Sequence, residues 1–103
     1  MKQPFASTLV VRHHLVDGLW IDVKEELSYG DKRALRRALL KYSNDPEQIN
    51  ICLMELALVA WSLDTPISGE TIDRLQEGIV NQMLLFINTQ YRPHELAEEE
   101  KKT

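Results

Sequence analysis

The chain has 103 residues, one cysteine, 44% hydrophobic and 27% charged residues, and a formal net charge of −4. That length suits one small domain, and the composition argues against two domains or wholesale disorder. The charge is split: residues 1–42 carry eight Lys/Arg against five Asp/Glu, and residues 43–103 carry four against eleven. The uniform basic character of a nucleic-acid binder is therefore excluded. Cys52, being alone, cannot form an internal disulfide. A secreted domain this small tends to carry several, so the expectation is a reducing, cytoplasmic setting. The apolar run Leu9 to Val11 is shorter than the roughly 7–15 residues of a signal core. The most apolar stretch, Ile51 to Trp61, is interrupted by Glu55 and falls short of the roughly 18 residues of a spanning helix. A soluble protein with no membrane association is expected.

The first predicted element is a β-hairpin over about residues 8–24. Asp17-Gly18 lies between Leu15-Val16 and Leu19-Trp20, and Asp-Gly between apolar residues favours a type I′ turn. On the return strand Leu19, Ile21 and Val23 share one face and Trp20 and Asp22 the other. Trp20 is expected to cover the edge of the helical core. The strand edge near Leu9 to Val11 is free to pair with a second copy.

A helix over about 29–43 follows, opened by Ser28 with Asp31 three residues later, in the manner of a capping box. Leu35, Ala38, Leu39 and Tyr42 form its core-facing stripe, and Lys32, Arg33, Arg36, Arg37 and Lys41 its outer surface. Asp45-Pro46 then starts a helix over about 46–63, with Asp45 as cap and Pro46 in the first turn. It is apolar nearly all round and suits the centre of a bundle. Ser68, with Ile67 before it and Ile72 after it, opens a third helix over about 69–91, which Arg92-Pro93 closes. Gly78 within it is either a tolerated glycine or a mark of close helix approach. The predicted fold class is α+β, mainly α: an N-terminal β-hairpin followed by a three-helix bundle within one domain, 1–92. Residues 93–103 form a flexible charged tail.

No residue pattern in the chain calls for catalysis. His13 and His14 are neighbours on a strand and point to opposite faces, so they do not chelate one metal. Cys52 lies in the most apolar helix and reads as a small hydrophobe. Asp64, Glu70 and Asp73 surround a helix start, where capping and the helix dipole account for them. Glu55 must be paired or lie at a rim, because an isolated buried carboxylate is costly. No cofactor, metal ligand set or catalytic residue is expected, and the chain is read as a non-enzyme. The basic helix has no interleaved aromatic residues for base stacking, which favours a solvated face or a docking surface for an acidic partner over nucleic acid. Arg33, Arg36 and Arg37, with the large apolar surfaces of Trp20 and Trp61, are the candidate partner-binding residues.

The order of these features resembles the tail assembly chaperones of long-tailed bacteriophages and their prophages. The resemblance rests on Asp17-Gly18-Leu19-Trp20, on Leu27-Ser28-Tyr29-Gly30-Asp31-Lys32-Arg33, on Trp61-Ser62-Leu63, and on Pro66-Ile67-Ser68-Gly69-Glu70-Thr71-Ile72-Asp73-Arg74-Leu75. It covers roughly residues 17–90. It implies a non-enzymatic protein in the host cytoplasm that binds the long helical tape measure protein, or another tail protein, during assembly. Several copies would coat one partner chain, and homo-oligomers fit that role. The resemblance also implies a second, longer form made by frameshifting near the end of the reading frame. The run Glu98-Glu99-Glu100-Lys101-Lys102-Thr103 suits either that or a solubilising tail. The alternatives are a structural or head–tail joining protein of the virion, and a small regulator contacting nucleic acid through the basic helix.

Overall fold

Asp17 and Gly18 both have positive φ, 57° and 75°, the left-handed pair that a two-residue type I′ turn requires. The turn closes through the Leu19 amide, which donates to the Val16 carbonyl at 3.2 Å. It joins β1 (Val10–His14) to β2 (Trp20–Lys24), paired antiparallel with Val11 opposite Val23 and His13 opposite Ile21. Ile21 and Val23 are fully buried, while Asp22 on the other face pairs with the exposed Arg12. The hairpin thus follows the predicted alternation. The structure, a computed structural model, describes the backbone of residues 4–102 and side chains as far as Arg92.

Helices α1 (Tyr29–Lys41) and α2 (Pro46–Ala57) begin where their caps predict. The Ser28 hydroxyl accepts the Asp31 amide at 3.0 Å, and the Asp31 carboxylate accepts the Ser28 amide at 3.1 Å. Two orphan donors of the first turn are thereby satisfied reciprocally. The Asp45 carboxylate accepts the Gln48 amide at 3.1 Å.

The predicted helix over 46–63 is too long. It stops at Ala57, and Leu58–Trp61 is a third strand, β3, paired antiparallel with β2 to give the sheet order β1-β2-β3. Leu58 and Trp61, three positions apart and both buried, imitate a helical stripe. Ile21 faces Trp61, Asp22 faces Ala60, and Val23 faces Leu58, which leaves Val59 as a bulge. The bulge shifts the alternation by one residue, so both large side chains reach the core from a strand.

The predicted helix over 69–91 is also corrected. It is two helices, α3 (Gly69–Asp73) and α4 (Glu77–Lys102), separated at residues 74–76. The Ser68 hydroxyl caps α3 by accepting the Thr71 amide, and the Thr71 hydroxyl accepts the Ser68 amide in return. Gly69 lies close to α2: a Cβ there would stand 3.3 Å from the Ile51 side chain. Gly78 sits in the first turn of α4 with nothing within 4 Å of a Cβ position, so it marks no close approach. Nor does Arg92-Pro93 close the helix, because α4 runs on to Lys102. A proline removes one amide donor from the ladder, and the good helix formers beyond it, Glu, Leu, Ala and Lys, resume the turns. The backbone of 93–102, predicted as tail, therefore belongs to α4, and Thr103 lies outside the described residues. Among the described residues the chain is α+β and mainly helical: the predicted hairpin is present and extended to a three-stranded antiparallel sheet, and four helices stand in place of the three-helix bundle.

The core lies between the inner face of the sheet and the helices. Ile21 and Val23 meet Met54 and Ala57 of α2, Ile72 of α3, and Met83 and Ile87 of α4. Polar contacts tie α4 to the sheet near its rim. The Lys24 carbonyl accepts the Gln90 side-chain amide at 2.6 Å and the Tyr91 hydroxyl at 2.7 Å. With its amide nitrogen so engaged, Gln90 turns its oxygen to His13 Nε2 at 2.6 Å, which requires the proton on that nitrogen. The His13 ring also stacks on Phe86, with centroids 5.0 Å apart.

These burials set expected costs. Ile21→Ala, at a position with 0% exposure, should lower the unfolding free energy by about 2–5 kcal/mol. Leu40→Ala, at 83% exposure, should change it by less than about 0.5 kcal/mol. Urea unfolding followed by circular dichroism checks both.

Candidate partner-binding groove

Helix α1 rests on α2, and between α1 and α4 the surface opens into a groove of about 630 Å³. Its floor is built from partly buried apolar groups: Leu27 after β2, Leu35 of α1, Leu53 of α2 and the Tyr91 ring of α4. Leu39 of α1 and Leu85 of α4 stand on opposite sides, 48% and 63% exposed. Lys32 and Arg36 border the α1 side, Arg92 with Asn88 and Thr89 the α4 side, and Glu26 is the one acidic lining residue. Glu26 already accepts the Ser7 backbone amide. The groove is therefore an apolar trough with a mainly basic and polar rim.

Helical spacing explains which α1 residues reach it. Lys32, Leu35, Arg36 and Leu39 follow i, i+3, i+4 and i+7 and share one side. Ala38, buried, and Leu35 and Tyr42, half-buried, occupy the neighbouring side toward the domain. Arg33 and Arg37 are exposed but do not line the groove. Of the three arginines singled out from sequence, only Arg36 borders the site.

The two tryptophans also lie elsewhere. Trp61, on β3, is 7% exposed and belongs to the core. Its indole N–H donates to the Thr65 carbonyl at 2.6 Å, and the little of it that is exposed borders a surface pocket with Glu55, Val59 and Thr65, apart from the groove. Trp20 is half-buried on β2, on the sheet face opposite the core residues, and does not cover the edge of the helical core. The Arg12 guanidinium stacks 3.7 Å from its ring centroid and also bonds both Asp22 oxygens, at 2.8 and 3.0 Å. Arg12 thus covers the indole while keeping its charge paired. That pair holds the exposed Arg12 guanidinium above its ordinary value and the Asp22 carboxyl below its own.

Other singled-out groups take structural positions. Glu55 is exposed at a rim, which removes the cost of burying its charge. Cys52 is half-buried, less enclosed than its helix suggested. His14 points away from the core and His13 toward it, on the opposite faces that the strand spacing predicts. Among the described residues no group of three or more His, Cys, Asp or Glu is placed to hold a metal ion. Among them too, no helix is long and apolar enough to cross a membrane.

The groove residues that sequence reasoning missed are Leu39, Leu53, Leu85, Lys32 and Arg92. The spacing Leu35, Ala38, Leu39, Tyr42 places Leu39 in the core stripe of its helix, whereas it is 48% exposed. Leu85 carried a usable signal: it falls outside the Ile79, Met83, Phe86, Ile87 stripe of its own helix, so it is a leucine without a core to enter.

Beside Tyr91 of the groove lies a titratable pair that does not itself line it. Lys24 Nζ lies 3.1 Å from the Asp31 carboxylate. Burial opposes ionisation of Asp31, but the Ser28 amide and the Lys24 ammonium outweigh it and hold this carboxyl below its ordinary value of 3.8. The stabilisation is present above that value and is lost as pH falls through the lower folded-state value. Asp31→Asn should therefore lower stability at pH 7 and flatten the acid limb of a stability–pH profile. Tyr91 moves the other way: burial, then the Asp31 charge, raises its phenol from 10.0 to about 12. Its contribution is complete below pH 10 and is lost between pH 10 and about 12. Tyr91→Phe should remove the tyrosinate absorbance that appears near the upper end of that window in a spectrophotometric titration.

No protein-family model, curated protein or solved structure matches this chain, so only its own residues speak for what the groove holds.

Proposed function

We propose that this chain is a non-enzymatic, protein-binding chaperone of phage tail assembly, and that it holds helical segments of a tape measure protein in the groove between α1 and α4. The observation that carries the reading is the groove itself, with Leu39 and Leu85 exposed across from one another over an apolar floor. A soluble domain leaves such leucines unpaired at the expense of solubility, and an apolar trough with polar rims is the usual seat of an amphipathic helix. A shallow site of this kind binds weakly, which suits a client that must later be released. Multiple copies along one client chain would supply retention by avidity.

The residues behind the resemblance support the scaffold in which the groove sits. Asp17-Gly18 makes the hairpin turn, Ser28 and Asp31 cap α1, and Ser68 and Thr71 cap α3. They are framework positions, and the partner-facing residues lie between them.

The test is co-expression with the gene for a long, helix-rich tail protein from the same locus. The expected outcome is that this chain keeps the partner soluble and co-purifies with it, and that Leu39→Asp with Leu85→Asp abolishes both effects. Circular dichroism and the urea midpoint should stay near those of the parent, because both sites are exposed. Presence of the chain in finished particles would contradict the proposal, since a chaperone departs on assembly. So would unchanged co-purification by the double variant.

A further inference from the structure

The rim of the groove is electrostatically one-sided. Lys32 and Arg36 stand one turn apart on α1, Arg92 borders the groove from α4, and the single acidic lining residue, Glu26, is engaged by the Ser7 amide. Among the described residues the two ion pairs are Arg12 with Asp22 and Lys24 with Asp31, neither of which uses a cation of this rim. The floor is apolar and contributes no charge of its own. The groove thus combines a non-directional apolar term with an excess of positive charge, three lining cations against the one carboxylate of Glu26.

From this charge pattern we infer that the groove selects an amphipathic helix whose apolar stripe is flanked by acidic side chains. The inference rests on the proposal that the groove is a protein-binding site and specifies its occupant. From Lys32 to Leu39 the α1 side spans seven residue steps, about 10 Å at 1.5 Å per residue, or two helical turns. An occupant of that length presents apolar anchors at i, i+3 or i+4, and i+7 between Leu39 and Leu85. Its carboxylates then fall opposite Lys32 and Arg36 on one flank and Arg92 on the other. A basic flank would meet like charge there, so the rim both attracts one class of helix and rejects the other. Rim charges act largely through association rate and are screened by salt.

Two synthetic peptides of about 18 residues, long enough for appreciable helicity, test the inference. They share one leucine stripe and differ in flanking Glu or Lys. Their binding to the full chain is followed by fluorescence anisotropy at low and high salt. The Glu-flanked peptide should bind about tenfold tighter at low salt, with the gap narrowing as salt rises. Lys32→Glu with Arg36→Glu should invert the preference while leaving the circular dichroism spectrum unchanged. Equal binding of both peptides, or a preference that survives the charge reversal, would overturn the inference yet leave the groove as a helix-binding site. Failure of both peptides overturns it as well, and co-purification of the tail protein lost through Leu39→Asp would still support the broader proposal. A dimer dispersed by Leu39→Asp, seen by sedimentation, would assign the groove to a second copy and also overturn it.

Discussion

Leu58 and Trp61 are three positions apart and both face the core, which a regular strand cannot achieve because its side chains alternate. The bulge at Val59 resolves the conflict by adding one residue against β2 between Leu58 and Ala60. Much of the architecture follows. With Leu58–Trp61 in the sheet, α2 ends at Ala57, and the sheet gains a third strand that covers the edge of β2. The inner face becomes broad enough for α4 to lie on, with Met83 and Ile87 in the core it shares with Ile21 and Val23. The bulge also breaks the regularity of an edge strand, a feature that discourages pairing with other chains.

The groove is a consequence of that arrangement. In a closed three-helix bundle α1 would pack between both partners and bury Leu39. Here α4 is held to the sheet instead, through Gln90 and Tyr91 on the Lys24 carbonyl and through His13 beneath Phe86. Helix α1 rests on α2, and the space it leaves toward α4 stays open. The Lys24 region is therefore a joint: its carbonyl anchors α4, and its ammonium meets Asp31 at the start of α1. One residue at the end of β2 thus touches both sides of the groove, while the packing of α1 on α2 and of α4 on the core holds them in place.

Local signals were the most legible part of the sequence. Asp17-Gly18, Ser28 with Asp31, Asp45-Pro46 and Ser68 each specify a turn or helix start through hydrogen bonds or φ values satisfied within a few residues. Those elements appear where the residues place them. The errors share a different cause. A bulged strand with two large residues three apart carries the spacing of a helix, so Leu58 to Trp61 reads as a continuation of α2. Similarly, Ile72, Leu75 and Ile79 keep a helical period across the break between α3 and α4, which hid it. Arg36 was legible as an exposed cation but could not be separated from Arg33 and Arg37. Trp61, prominent by size, proved to be core.

The sequence by itself determined where the hairpin turn, α1, α2 and α3 begin, which faces of the hairpin are apolar, and that α1 carries a basic surface, because these depend on neighbours within a turn or two. Only the tertiary structure decided which leucines remain uncovered and which cations surround them. Whether Leu39 and Leu85 are buried depends on how α1 and α4 sit relative to each other, and that is set by their packing on α2 and the core and by the Lys24 contacts, between residues of separate elements. Packing at that distance leaves no periodic trace in the sequence of either helix.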